Sequence, residues 1–485
     1  MLTRLRVSGF KNLSGVDVSF GPFTCIAGAN GVGKSNLLDA IVFLGALTEK
    51  TLVDAALSVR DQGARTGDIL GLFQHVGGHF AEEMTFQVEM IIPKEGVDDL
   101  GQKAKASSTF VEYTLKLRHR TDNGMRALGS LELVTEELKH ITLGQAGKQL
   151  SFHPSKAWKD SVLKNERRTP FFISTKGEGA DRVINVHQDG GSSGKPQKLS
   201  AANLPRTVLS RANAAESPTA TLARREMQSW RLLQLEPSSL REPDRFDAQP
   251  YLGSAGSHLP ATLYRLAHHT GADPEAIYAE VANRLAELID EVRAVHVDRD
   301  EPRQLLTIYA TDKGQTQFPA RALSDGTLRF LALAVLALDT ESGGVLCLEE
   351  PENGIHPARI PAIIRLLKDL AFDPANEADE PGHMRQVIIN THSPAVVQYI
   401  DPEDLVVAET VYQGYPVPAK TLRLGCMPRS WRAKSGSMVA GHMGQLLPYL
   451  NPVPARDSSD AGGRSRRLVD RPEVKRVLPL FDLHA

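Results

Sequence analysis

Short apolar runs punctuated by polar residues dominate the chain. Three of them have the density of strands buried on both faces. Phe23-Thr24-Cys25-Ile26-Ala27, Val345-Leu346-Cys347-Leu348 and Gln386-Val387-Ile388-Ile389-Asn390 carry no charge and predict parallel core strands. Alternating runs have a different meaning. Thr85-Phe86-Gln87-Val88-Glu89-Met90 and Phe110-Val111-Glu112-Tyr113-Thr114-Leu115-Lys116-Leu117 switch between apolar and polar positions, which predicts antiparallel strands with one wet face. Helical spacing appears over Ser35 to Leu44, Leu328 to Leu338, Thr219 to Leu235 and Pro274 to Val292. In the last segment Ala276, Ile277, Val281, Leu285, Leu288, Ile289 and Val292 make one stripe, read as packing inside its own lobe. Residues 119–215 mix short strands, such as Phe171-Phe172-Ile173 and Val183-Ile184-Asn185-Val186, with polar stretches, and Gln188 to Gln197 reads as a glycine- and serine-rich loop. No heptad pattern lasts long enough for a coiled-coil arm, and no internal repeat is visible.

The chemistry lies where the buried strands end. After the first comes Gly28-Ala29-Asn30-Gly31-Val32-Gly33-Lys34-Ser35, which fits GxxxxGK[ST] between a predicted strand and a predicted helix. Glycines let such a loop turn tightly and aim its N–H groups at phosphate oxygens, and the helix N-terminus adds a favourable dipole. Lys34 is placed to reach the β- and γ-phosphates and Ser35 to ligate Mg²⁺. The second strand delivers Glu349 and Glu350 to its carboxyl end, where open α/β sheets put their ligands. Glu349 is expected to hold Mg²⁺, directly or through water, and Glu350 to orient and polarise an attacking water. The third strand ends at Thr391-His392-Ser393, where His392 can contact the γ-phosphate and sense its loss. Leu323-Ser324-Asp325-Gly326-Thr327 opens a long apolar helix, and Ser324 reads as its N-cap. The same helix start can also point at a phosphate bound by another subunit.

These four motifs, with Glu349-Glu350-Pro351-Glu352-Asn353-Gly354-Ile355-His356-Pro357 and the opening Leu5-Arg6-Val7-Ser8-Gly9-Phe10-Lys11-Asn12-Leu13, resemble the ABC-type ATPase head shared by SMC proteins, RecF-like proteins and the overcoming-lysogenization-defect (OLD) nucleases. Within that group they are most similar to OLD-like AAA-family ATPases. The resemblance spans about residues 1–410 and implies an α/β fold: an ABC-type P-loop head with a mixed sheet, helices on both faces, an antiparallel β subdomain and a helical insertion lobe. It divides the chain into a first lobe (1–215), a helical insertion (216–298), a second lobe (299–411) and an appendage (412–485). It assigns ATP binding to Gly28 through Ser35 and to Asn36, with Ser35 and Glu349 on Mg²⁺. Glu350 becomes the catalytic glutamate, His392 the switch histidine, and Ser324 and Gly326 the signature contacts made across a homodimer or higher oligomer. It also implies a metal-contacting glutamine in the first lobe, for which Gln74 is the candidate beside a plain surface-loop reading. One departure is marked. OLD nucleases carry a C-terminal Toprim domain, yet roughly ninety residues follow His392 and no Asp-x-Asp pair lies among them. The expectation is an ATPase acting with a separate effector, a nuclease or toxin.

Composition adds limits. The chain has 485 residues, 41% hydrophobic and 24% charged, enough for a sizeable core. A net charge of −2 gives no chain-wide basic signal for DNA. Three scattered cysteines offer no disulfide framework, the start is a charged strand rather than a signal peptide, and no apolar run is long enough for a membrane span. A cytoplasmic enzyme is expected. In the tail, Asp457 to Gly463 reads as a linker, and Arg464, Arg466, Arg467, Arg471, Lys475 and Arg476 as either a solvated surface or a contact to nucleic-acid phosphates. Arg224, Arg225 and Arg231 have the same two readings. The role expected is a sensor or regulator ATPase in anti-phage defence. The alternatives are a RecF- or SMC-like repair ATPase on DNA and an ATP-locked scaffold with little turnover.

Overall fold

The computed structural model describes residues 1–440 apart from 60–68, 121–129, 190–194, 202–203, 270, 272, 290, 377–383, 414–417 and 437. The tail arginines, Lys475 and the predicted linker lie outside the described residues.

The uncharged strands form the centre of the molecule as predicted. A seven-stranded sheet runs in the order Arg231–Leu233, Gly344–Glu349, Arg385–Thr391, Phe23–Gly28, Leu405–Gln413, Ala419–Cys426 and Val439–Ala440. Its first five strands are parallel, and Ala419–Cys426 turns back antiparallel. Alternate side chains of one strand enter two different cores. Ile26, Cys347 and Ile388 pack with the helix Lys34–Ala46, whereas Cys25, Ala27, Leu346, Leu348, Val387 and Ile389 pack with the helices Asp325–Leu338 and Ile360–Asp369. Helices therefore cover both faces, which is why these strands read as continuous apolar runs.

The alternating runs build a second, eight-stranded antiparallel sheet, including Leu2–Ser8, Glu83–Ile91, Phe110–Arg120 and Ser130–His140. Its inner face meets the helix Lys34–Ala46 through Phe10, Phe43 and Phe86, with ring centroids 5.5–5.8 Å apart. A parallel sheet with helices on both faces, beside an antiparallel β subdomain, is the α/β arrangement expected from the sequence. A smaller sheet, Asp244–Arg245, Leu305–Asp312, Val292–Asp300 and Gln317–Pro319, packs with the helices Leu259–His268 and Pro274–Ala286. Among the described residues no helix is long and apolar enough to cross a membrane.

Two predicted helices end early. The first covers Pro218–Gln228, after which Arg231–Leu233 becomes the edge strand of the parallel sheet. The second covers Pro274–Ala286, and Val292 begins the strand Val292–Asp300. Both errors have one cause. A short apolar run at a helix end fits either period, and the choice is made by the strand waiting beside it. Of the stripe on the second helix, Val281 and Leu285 are buried and Ala276 is exposed, and the helix packs against Asp325–Leu338 of the second lobe as well as against Leu259–His268 of its own. Gln197 opens the strand Gln197–Ser200 rather than closing a loop.

A buried carboxyl ties the large sheet to the segment beside the helix Lys34–Ala46. Glu136 accepts N–H groups from Val208 (2.6 Å) and Leu209 (2.7 Å) and the Tyr113 hydroxyl (3.1 Å). Burial pushes it up to about 7 from 4.5, against the pull of those donors. The folded chain thus keeps a proton on Glu136 that the unfolded chain releases, so stability falls as pH rises between 4.5 and 7. Unfolding free energies from urea titrations of wild type and Glu136→Gln across that window should differ in their slope against pH, by about 1.4 kcal/mol per pH unit at most. Parallel pH profiles would show that Glu136 keeps no such proton.

Candidate functional site

The strand Phe23–Gly28 is buried end to end and releases the chain into an exposed tip at Ala29, Asn30 and Gly31. The helix Lys34–Ala46 then starts from Gly33, whose φ of 107° lies in the left-handed region. A Cβ there would sit 2.2 Å from the Asn12 amide, so only glycine fits. Asn12 uses that closeness: its Nδ2 donates to the Val32 carbonyl (2.9 Å), and its Oδ1 accepts from Asn36 Nδ2 (2.8 Å). The Lys34 ammonium lies inside the loop and donates to the carbonyls of Gly28 (2.7 Å) and Ala29 (2.9 Å). Burial lowers its pKa, against the opposing fields of Glu350, Glu352 and Glu349. A largely buried cation at a helix start, bonded to loop carbonyls, is an anion-binding arrangement, and the carboxylates nearby call for a cation beside that anion.

Parallel register sets the acids opposite this loop. Glu349 pairs with Asn390, and Asn390 with Ile26. Asn390 Nδ2 lies 3.5 Å from Ser35 Oγ and 3.4 Å from Glu349 Oε1, so it joins the loop helix to the glutamate strand. Glu350 leaves that strand with φ 45°, a left-handed conformation that costs a non-glycine residue of order 1 kcal/mol or more. Its N–H is held by the Asn390 carbonyl (3.0 Å) and Oδ1 (3.1 Å). Its carboxylate meets His392 Nδ1 at 2.6 Å and accepts from Asn353 Nδ2 at 2.9 Å. Partial burial would raise the Glu350 pKa, but the Asn353 and His392 bonds and the His392 and Lys34 charges outweigh it and hold it below the usual value. Glu350 is therefore an ionised carboxylate at the cleft. Glu352, two residues on, is buried and bonded to the Thr391 hydroxyl, and burial raises its pKa.

Ser35, Glu349, Glu350, Asn353 and Asn390 line one cleft of about 320 Å³ together with Gln234 and Arg329. Arg329 donates to the carbonyls of Leu235 (3.2 Å) and Asn353 (2.8 Å) and so ties two cleft loops to its helix. Gln234 follows the edge strand Arg231–Leu233, at the same carboxyl end as Glu349. It escaped the sequence reading because that strand was assigned to a helix. Gln74 is elsewhere: it bonds through its backbone to Gly9 and Ala81 in a small hairpin and does not line this cleft. Ser324 caps its helix, accepting from the Thr327 N–H at 3.2 Å, and Gly326 packs on the loop after the glutamates. Neither lines the cleft of its own chain. Arg224 and Arg225 pair with Asp99, and Arg231 bonds Ser342, so these arginines are engaged within the fold.

Comparison with known proteins bears on this arrangement. A family profile described as "AAA domain, putative AbiEii toxin, Type IV TA system" matches residues 148–398, and one described as "AAA domain" matches residues 4–182. The chain is 42% identical over 78 residues to the DNA replication and repair protein RecF of Anaeromyxobacter dehalogenans, covering 16% of this chain and 21% of that protein. It is 44% identical over 80 residues to the DNA double-strand break repair Rad50 ATPase of Halobacterium salinarum, covering 16% and 9%. The chain thus spans about a fifth or less of these relatives. An SMC head bound to the C-winged-helix domain of ScpA aligns at 13% identity and a TM-score of 0.46, covering 88% of this chain and 98% of that one. The SMC head of Thermotoga maritima aligns at 11% and 0.37, covering 88% and 99%.

The helix start at Ser324 offers a test of the local geometry. A Cβ on Gly326 would lie 2.4 Å from the Gly354 carbonyl oxygen, so Gly326→Ala must push the loop after the glutamates aside. That should cost roughly 1–3 kcal/mol, against about 1 kcal/mol for losing the cap in Ser324→Ala. Thermal melts of the two variants read both effects. A Gly326→Ala protein that melts like wild type would show that the two loops are not in contact.

Proposed function

The chain belongs to the AAA-domain family described as "AAA domain, putative AbiEii toxin, Type IV TA system", and on that premise we propose that it binds and hydrolyses ATP as an ABC-type head. The observation that carries the proposal is the meeting of Ser35, Asn390, Glu349 and an ionised Glu350 on one cleft at the carboxyl ends of three adjacent parallel strands, with the Lys34 ammonium in the loop beside it. Lys34 neutralises the β- and γ-phosphates, and the loop N–H groups cradle them. The Ser35 hydroxyl, the Glu349 carboxylate and the Gln234 amide oxygen are hard oxygen donors of the kind Mg²⁺ takes. Bound there, the ion neutralises phosphate charge. In this reading the metal-contacting glutamine is Gln234 rather than Gln74. Glu350 orients the attacking water and accepts its proton, and His392, bonded to Glu350, reports whether a γ-phosphate is present.

Ser324 and Gly326 do not line their own chain's cleft, which supports their use on the ATP of a second copy. The active assembly is then a dimer closed around two ATP molecules, in the cytoplasm. For the biological role, the family description names a toxin–antitoxin setting. It favours an OLD-like regulator ATPase in bacterial defence, acting through a separate effector. The RecF and Rad50 matches favour the alternative, a repair ATPase that binds DNA. Steeply salt-dependent, ATP-dependent binding to duplex DNA would select the second reading.

Glu350→Gln should bind ATP and lose hydrolysis by about 10²–10⁴-fold. Wild-type turnover in this variant would remove Glu350 from the mechanism. Ser324→Arg should also lose hydrolysis while a lone subunit still binds nucleotide. In mixed dimers of the two variants, one site combines both lesions and the other combines an intact Glu350 with an intact Ser324. Part of the activity should return on mixing. If exchanging subunits give only the sum of the separate variants at every ratio, the composite site is wrong.

A further inference from the structure

Four carbonyls of the phosphate loop are held by side chains. Lys34 takes those of Gly28 and Ala29, and Asn12 takes that of Val32. The fourth, Gly31 at the exposed tip, accepts from the ammonium of Lys420 at 2.7 Å. Lys420 is 389 positions away in sequence, on the strand Ala419–Cys426. Its partner is a loop carbonyl rather than a surface carboxylate. Two residues on, the Leu422 N–H donates to the Asn12 carbonyl (3.0 Å), so one strand steadies both outer clasps of the loop.

A trans peptide points its C=O and the following N–H in opposite directions. Fixing the Gly31 carbonyl outward on Lys420 turns the Val32 N–H inward, and fixing the Val32 carbonyl on Asn12 does the same for the Gly33 N–H. These are the donors that a glycine-rich loop presents to phosphate, and the positive φ values of Gly31 (73°) and Gly33 (107°) give the concave backbone such a nest needs. Without a clasp, the tip peptide before Val32 is free to rotate, since Gly31 is exposed and restricted by no side chain of its own.

We propose that Lys420 is a positioning residue of the nucleotide site, whose ammonium holds the Gly31 peptide so that the next N–H faces the phosphates of a bound nucleoside triphosphate. The inference rests on the ATP reading above and extends the site to a strand beyond the switch histidine. Lys420 acts through the loop backbone and does not line the cleft that holds Glu350, so it should govern affinity rather than the chemical step.

The test is equilibrium binding of MgATP to the full chain, followed by calorimetry, with steady-state hydrolysis alongside. Lys420→Met and Lys420→Gln should weaken binding about tenfold, the effect of one charge-assisted hydrogen bond. KM should rise with it while kcat stays within about twofold. Lys420→Arg, which keeps the charge, should recover most of the affinity. The melting temperature should not move, because the side chain is exposed. Lys34→Ala serves as the control and should lose binding outright. Unchanged affinity in Lys420→Met beside that loss overturns the inference and leaves the ATP reading standing. Equal weakening in the Arg and Met variants also overturns it, since charge would then not be the cause. Wild-type protein that binds no nucleotide would bring down the ATP reading itself.

Discussion

Parallel hydrogen bonding among strands buried on both faces fixes the nucleotide end of this molecule. Once Phe23–Gly28, Arg385–Thr391 and Gly344–Glu349 pair side by side, their carboxyl ends must emerge together. A slip of one residue would send each strand's apolar set into the wrong core, because Cys25 and Ile26 serve different clusters. The packing that stabilises the fold therefore also sets the distance between the phosphate loop and the acids. Asn390 shows this economy directly: one side chain in the middle strand touches Ser35 on one side and Glu349 and Glu350 on the other.

Around that base the reactive groups are held by bonds that a ligand can replace. Glu350 occupies a left-handed backbone conformation, is pinned by Asn390 from behind, and is tethered by Asn353 and His392 in front. Lys34 is buried and satisfied by loop carbonyls. Each of these bonds can be exchanged for a bond to phosphate or water, so the site resembles a set of switches more than a finished catalytic constellation. The contact of Gly326 with Gly354, and Arg329's bond to Asn353, join the helix Asp325–Leu338 to the same glutamate loop. A change at Glu350 can thus reach the start of the helix Asp325–Leu338.

The elements legible in the sequence share a property: their signal is local. The phosphate loop, the paired glutamates and the Ser324 cap are written in consecutive residues, and the uncharged strands announce burial on both faces by composition alone. What escaped depends on neighbours distant in the chain. Arg231–Leu233 looks like a helix end until the strand Gly344–Glu349 lies beside it, and with it went Gln234. Gln74 had a reasonable local setting, yet the loop that carries it bonds to Gly9 rather than reaching the cleft.

Sequence by itself determined the chemistry offered: a lysine and serine on a glycine loop, two carboxylates after one strand, a histidine after another, and the apolar runs that force them onto one sheet. Tertiary structure alone decided which polar residues would serve them. Asn12, Asn390, Arg329 and Lys420 take their roles from partners 20 to 389 positions away, and Gln234 from the pairing of the strand before it. The physical reason is that a hydrogen bond needs distance and direction between two particular atoms. A one-dimensional pattern fixes burial and period, whereas only the packed fold fixes where an amide or ammonium points.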